Sequence, residues 1–143
     1  MFLLQESPID IVQLKNYRTH STYGALVSFE GVVRNDTKND SQVDFLLYLA
    51  DHSACIQEGK KVLEEAFKLF AISHAVCIQR VGKVPAGEAA IWIGVWSLHR
   101  HEAFEACQYI IEEIKKRLRI WKKEFLTNGS SLWVYGAQTP VIQ

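Results

Sequence analysis

Residues 90–124 read AIWIGVWSLHRHEAFEACQYIIEEIKKRLRIWKKE, and the hydrophobic period changes partway along. Up to Leu98 the chain is apolar at successive positions, so an extended segment would be buried on both faces, which marks a central strand. From about His101 the apolar residues recur at helical spacing and predict a long helix running to about Trp121. Residues 99–124 also carry seven lysines and arginines and two histidines, although the whole chain balances 16 basic against 16 acidic residues. With no net charge there is no overall field to draw nucleic acid or a membrane surface, so any anion site has to be local.

Working outward from this stretch, Ser7-Pro8 predicts a helix start and a short helix over residues 9–17, after an initial strand. Residues 23–33, YGALVSFEGVV, are rich in β-formers and end in the turn-forming loop RNDTKNDSQ. Residues 43–49 predict a further strand. A helix from Ser53 would place Ile56, Leu63, Phe67 and Phe70 on one face. Residues 74–81 predict a strand, KVPAGE a turn, and SLWVY after Asn128-Gly129 a last strand. The order β-α-β-β-α-β-β-α-β implies an α+β fold, with a largely antiparallel sheet and helices on one face. At 143 residues the chain is expected to form a single domain over 1–143, burying roughly two-thirds of its unfolded surface.

Apolar residues make up 48% and charged residues 22% of the chain, an ordinary globular composition. The N-terminal MFLLQESPIDIVQLK lacks a basic n-region followed by a long apolar run, so no signal peptide is expected. No apolar run approaches the ~20 residues of a bilayer span. The 3 cysteines, Cys55, Cys77 and Cys107, form no CxxC pair and no disulfide framework. A cytoplasmic protein is expected, with no membrane or nucleic-acid partner.

At ~100° per residue, Phe104, Cys107, Ile111, Ile114, Leu118 and Trp121 would share one sector of the long helix. Lys115 and Lys122, seven positions apart, would stack at its margin, with Lys116 and Lys123 turned to water. Two lysines at a core boundary commonly snorkel. In a half-dry pocket, desolvation and the neighbouring cation would instead lower a lysine pKa, making it a proton carrier or nucleophile near neutral pH. At Ser97-Leu98-His99-Arg100 the strand becomes the helix; free N–H groups and Arg100 there favour an anion. Arg34, at a strand end entering a loop, is a second candidate. His99 and His101 have no third ligand in register, so no metal is assigned, and no cofactor is assigned either. Cys107 reads as packing. A non-catalytic phosphate- or nucleotide-binding module could use the same basic pocket.

The segments GALVSFEGVVRN, RVGKVPAGE, SLHRHEAFEA, IKKRLRIWKKE and GSSLWV, in this order between Gly24 and Val134, resemble the large, catalytic subunit of molybdopterin synthase. The resemblance implies an α/β hammerhead-type fold with a small antiparallel subdomain. It implies a homodimer within a heterotetramer, each copy receiving the C-terminal Gly-Gly tail of a small ubiquitin-like sulfur-carrier subunit. Sulfur from the tail's thiocarboxylate would pass to cyclic pyranopterin monophosphate, giving the molybdopterin dithiolene. On this resemblance Lys115 and Lys122 match the catalytic, substrate-contacting lysines. Arg34, His99 and Arg100 match residues that bind the substrate phosphate or assist proton transfer. The sequence departs from the family pattern in three places. Leu49 follows Tyr48 where glutamate is usual; Arg119 replaces a proline, which predicts a helix running on without a break; and the tail VYGAQTPVIQ has no basic residue.

Overall fold

A computed structural model of the protein describes residues 1–16, 22–38 and 40–134. The expected ends of the first helix and last strand, Tyr17 and Tyr135, and the tail beyond lie outside the described residues. The elements run β1 (Phe2–Gln5), α1 (Ile11–Lys15), β2 (Ala25–Val32), β3 (Thr37–Lys38), β4 (Ser41–Ala50), α2 (His52–Leu69), β5 (His74–Arg80), β6 (Gly82–Pro85), β7 (Ala89–Ser97), α3 (Arg100–Arg117), β8 (Ile120–Leu126) and β9 (Ser131–Val134).

The doubly apolar strand is central, as its sequence implies. β7 lies between β5 and β2 and is antiparallel to both, while β1 adds to β5 in parallel, giving the order β1-β5-β7-β2. Alternate β7 side chains feed two cores: Ile91, Ile93 and Val95 meet α2 and α3, and Trp92 and Trp96 pack on the other face. The two long helices therefore share one face. The short α1 covers the opposite face through Ile11 and Leu14.

Several local expectations shift. The cap of α1 is Asp10, whose carboxylate accepts the Gln13 N–H at 3.0 Å. Ser7-Pro8 does not start the helix, because the Gln5 amide donates to the carbonyls of Ser7 (3.0 Å) and Pro8 (3.1 Å) and holds that stretch as a bend. On α2 the buried residues are Cys55, Gly59, Val62, Leu63 and Ala66; Ile56 and Phe67 are exposed. The small residues decide this, since a Cβ on Gly59 would lie 2.5 Å from the Phe2 ring, so the face bearing them approaches the sheet closely. The same rule rotates the buried face of α3 toward Ala103, Ala106, Cys107, Ile110 and Ile114, leaving Phe104 60% exposed. The turn KVPAGE contributes a strand of its own, β6, paired with β4.

The largest departure lies at the end of the basic stretch. The helix does not run to Trp121, even without a proline. Leu118 turns extended (φ −77°, ψ 135°) and buries its side chain. The Arg119 carbonyl accepts the Asp51 N–H at 3.1 Å and the Cys55 thiol at 3.3 Å. From Ile120 the chain pairs with β4 as β8. A further helical turn would forfeit these bonds, bury Leu118 less and leave that side of β4 unpaired, costs that exceed the few tenths of a kcal/mol per residue by which helix propensities differ. The second sheet runs β3-β4-β8-β9 with β6 also on β4, around a core that includes Val33, Val43, Tyr48, Val84 and Leu126.

Candidate active site

Where the two sheets meet the C-terminal end of α3, a cavity of about 440 Å³ opens. Arg34 and Asp36, just beyond β2, Lys115 near the end of α3, and Tyr48, Lys122 and Glu124 on the facing strands all line it. The two lysines converge, but not by stacking on one helix. Lys115 comes from α3 and stands exposed at the rim rather than partly buried. Lys122 comes from β8, half-buried, directly opposite Tyr48 in the β4–β8 ladder.

The environment of Lys122 is the chemical core of the cavity. Its Nζ sits 5.9 Å from the centroid of the Tyr48 ring. Burial holds its pKa below the usual lysine value, the Lys115 cation lowers it further, and Glu124 opposes both. Glu124 also pairs with Lys38 at 2.7 Å. The cavity therefore offers an ammonium that gives up its proton more readily than a lysine in water, with a second cation at the mouth. Arg34 is 82% exposed and held by Asp36 at 3.2 Å, at the edge where an anion would enter.

Lys116, 70% exposed beside Glu113 at 3.4 Å, points away as expected. Lys123 does not simply enter water: strand alternation puts it on the far face of β8, its Nζ 5.6 Å from the Phe125 ring and 5.4 Å from the Trp133 ring.

His99 and Arg100 do not join this cavity. They line a separate pocket of about 530 Å³ with Gly24, Leu98, His101, Phe104 and Glu105. The reason is helix length: Arg100 opens α3 and Lys115 nearly ends it, so at 1.5 Å per residue they stand about 22 Å apart along the axis. One chain thus does not bring Arg34 and Arg100 together. At this second pocket His99 caps α3 with no side-chain hydrogen bond, leaving the first N–H groups of the helix available to an acceptor. The exposed Leu98 and Phe104 flank the basic residues.

Cys107 is packing, as read: burial pushes its thiol up to about 11, and Cys55 and Cys77 are raised by burial as well. None is a ready thiolate nucleophile. Sequence reasoning missed Tyr48, Glu124 and Lys38 as neighbours of the lysines. Only the β4–β8 pairing places Tyr48 there, and no spacing in the sequence encodes it, whereas Glu124 follows Lys122 by two positions and shares its face once the segment is a strand.

Fold and cavity together define an α+β protein with a cavity lined by Arg34, Lys115 and a half-buried Lys122. The profile of the family described as MoaE protein matches residues 4–117. The molybdopterin synthase catalytic subunit of Thermoplasma volcanium is 38% identical over 130 residues, spanning 91% of this chain and 94% of the relative. The crystal structure of molybdopterin synthase from Staphylococcus aureus superposes with a TM-score of 0.84 at 29% identity, covering 93% of this chain and 96% of that one. A chain in the complex of subunits 1 and 2 of molybdopterin-converting factor from Helicobacter pylori shares the fold, with a TM-score of 0.78 at 19% identity over 98% of this chain and 94% of that one. The chain belongs to the MoaE protein family, the molybdopterin synthase catalytic subunits. The α/β hammerhead-type fold implied by the motifs is the fold observed.

Proposed function

We propose that residues 1–143 act as one domain, the large subunit of a molybdopterin synthase working in the cytoplasm. It takes sulfur from the C-terminal thiocarboxylate of a small ubiquitin-like carrier subunit and delivers it to cyclic pyranopterin monophosphate, forming the dithiolene. The observation that carries this reading is the convergence of Lys115 and Lys122, from different elements, in one cavity where burial and like charge make Lys122 easier to deprotonate. A site that only bound phosphate would gain from fully charged lysines and would have no use for a desolvated one. In this reading Lys122 moves protons, Lys115 and Arg34 hold the anionic substrate, and the Gly-Gly tail enters the cavity mouth.

His99 and Arg100 complete the site from a second copy of the chain. Their pocket is basic, lies at a helix N-terminus and is flanked by exposed Leu98 and Phe104, as suits a surface that another subunit covers. Trp92 and Trp96 are buried within the chain beneath α1, so the dimer contact has to use other residues. The working assembly is then a homodimer with one carrier bound per copy.

The test is reconstitution. The protein, the thiocarboxylated small subunit and cyclic pyranopterin monophosphate are mixed, and the pterin product is weighed by mass spectrometry. Addition of two sulfurs is expected. Tight precursor binding with no sulfur transferred would favour the non-catalytic phosphate-binding module instead.

A further inference from the structure

Tyr48 has two features that the roles above leave unused. Its side chain lies within the second core and is only 8% exposed, yet it also lines the lysine cavity. Buried tyrosine hydroxyls usually find a hydrogen-bond partner. Among the described residues none accepts from or donates to the Tyr48 hydroxyl, and that oxygen is not among the atoms sealed from solvent without a partner. A hydroxyl that is unpartnered, not sealed in, and carried by a ring on the cavity wall opposite Lys122 is placed to bond whatever the cavity receives.

The chemistry of thiocarboxylate sulfur transfer calls for such a donor. The carrier enters as an acyl carbon bonded to sulfur and leaves as a carboxylate. A water oxygen must therefore add to that carbon. That water acts on a thioester: the thiocarboxylate sulfur has first bonded to a pterin carbon, whose C–O bond breaks with its electron pair leaving on oxygen. As water adds to the acyl carbon, one of its protons passes to a base, Lys122 in its neutral form. The acyl C–S bond then breaks with its electron pair remaining on the pterin sulfur, and the carboxylic acid released gives its proton to that thiolate or to solvent. No electrons are gained or lost overall. Between addition and cleavage the acyl oxygen carries a full negative charge, the situation in which a fixed donor in a water-poor site is most effective.

We propose that Tyr48 is a further catalytic residue of this cavity, its hydroxyl donating a hydrogen bond to the acyl oxygen of the carrier's terminal glycine as that oxygen becomes an oxyanion. The inference rests on the sulfur-transfer reading above. Burial pushes the phenol pKa up to about 12, so the group stays protonated, a neutral donor throughout the neutral range. The ring is held by the core and by its cross-strand position opposite Lys122, so the donor is in place before the charge appears.

Tyr48→Phe tests this, because it removes the hydroxyl and keeps the ring beside Lys122. Wild type and variant are compared in single-turnover sulfur transfer with thiocarboxylated carrier and cyclic pyranopterin monophosphate, alongside thermal melts, carrier affinity and intact-mass spectra of quenched reactions. The rate is expected to fall ~10²-fold or more, the cost of one oxyanion donor. Melting temperature and carrier affinity should be unchanged, and a carrier–pterin acyl adduct should accumulate, which a merely structural role would not produce. Tyr48→Leu, lacking the ring as well, should add a loss of stability. A Tyr48→Phe rate within threefold of wild type would overturn the inference. So would a fall traced wholly to weaker precursor binding, or a lowered melting temperature showing that the hydroxyl bonds the protein itself. If wild type transfers sulfur and Tyr48→Phe matches it, this inference alone fails; if wild type transfers none, the underlying reading fails with it.

Discussion

Replacing Lys122 with methionine separates a catalytic lysine from a structural one. The substitution keeps the aliphatic stem against Tyr48 and removes the ammonium. In the native protein that ammonium is partly desolvated and repelled by Lys115, with Glu124, already paired to Lys38, as the opposing charge. Removing a cation from such a place relieves strain, so the melting temperature should not fall. Sulfur transfer should slow by ~10²–10⁴ if Lys122 is the proton carrier, equivalent to about 3–5 kcal/mol at the transition state. The pH dependence carries the sign. The folded pKa of Lys122 lies below the usual 10.5, so the active neutral form appears at lower pH than for a lysine in water. The wild-type rate should then rise with pH through a midpoint below that value. Lys115→Met removes the neighbouring cation, so Lys122 holds its proton more tightly and the midpoint should move to higher pH, whatever happens to the maximum rate. Single-turnover transfer measured across pH, with differential scanning calorimetry, reads all of this. As a control, Lys116→Met, at an exposed position beside Glu113, should keep full rate and stay within about 0.5 kcal/mol in stability. A Lys122→Met protein that unfolds earlier yet transfers sulfur at the wild-type rate would refute the reasoning, as would a midpoint that stays put or falls in Lys115→Met.

The composite site makes a genetic prediction. Lys122→Ala and Arg100→Ala should each be inactive alone, but random mixed dimers should recover about a quarter of wild-type activity, because half the dimers then carry one intact site; no recovery would place both residues in one subunit's site. Arg100→Ala should also weaken precursor binding by about 1.5–3 kcal/mol, measured by calorimetry. Arg117 bonds Glu58 at 2.7 Å and Glu65 at 2.6 and 2.8 Å, tying α2 to α3. Arg117→Ala should cost about 1–2 kcal/mol in chemical denaturation, less than charged hydrogen bonds can give, because Glu65 is more than a third exposed to solvent. The Arg117 hydrogen bonds, aided by Tyr109, hold the Glu65 carboxyl at about 2, below its ordinary 4.5. This contribution is full above pH 4.5 and lost as pH falls toward 2, so wild type should lose stability over that window and Arg117→Ala much less.

The class of fold was legible in local patterns of the sequence. The uninterrupted apolar run of β7 requires a strand covered on both faces. The helical period from His101 to Ile114 requires a helix packed on one of them. The concentration of lysine and arginine in an otherwise neutral chain marks the segment from which an anion site is expected. These are local patterns, imposed by burial on the segment that carries them. Tertiary structure decided what depends on pairing between distant segments. Period alone carries the helix on to Trp121, but β4 claims Ile120–Leu126 as a strand, because hydrogen bonds to a waiting sheet edge and burial of Leu118 outweigh a small difference in helix propensity. That exchange brings Lys122 to Tyr48 across a ladder and to Lys115 across a cavity. It also leaves His99 and Arg100 at the far end of α3, where helix geometry keeps them out of the same chain's cavity.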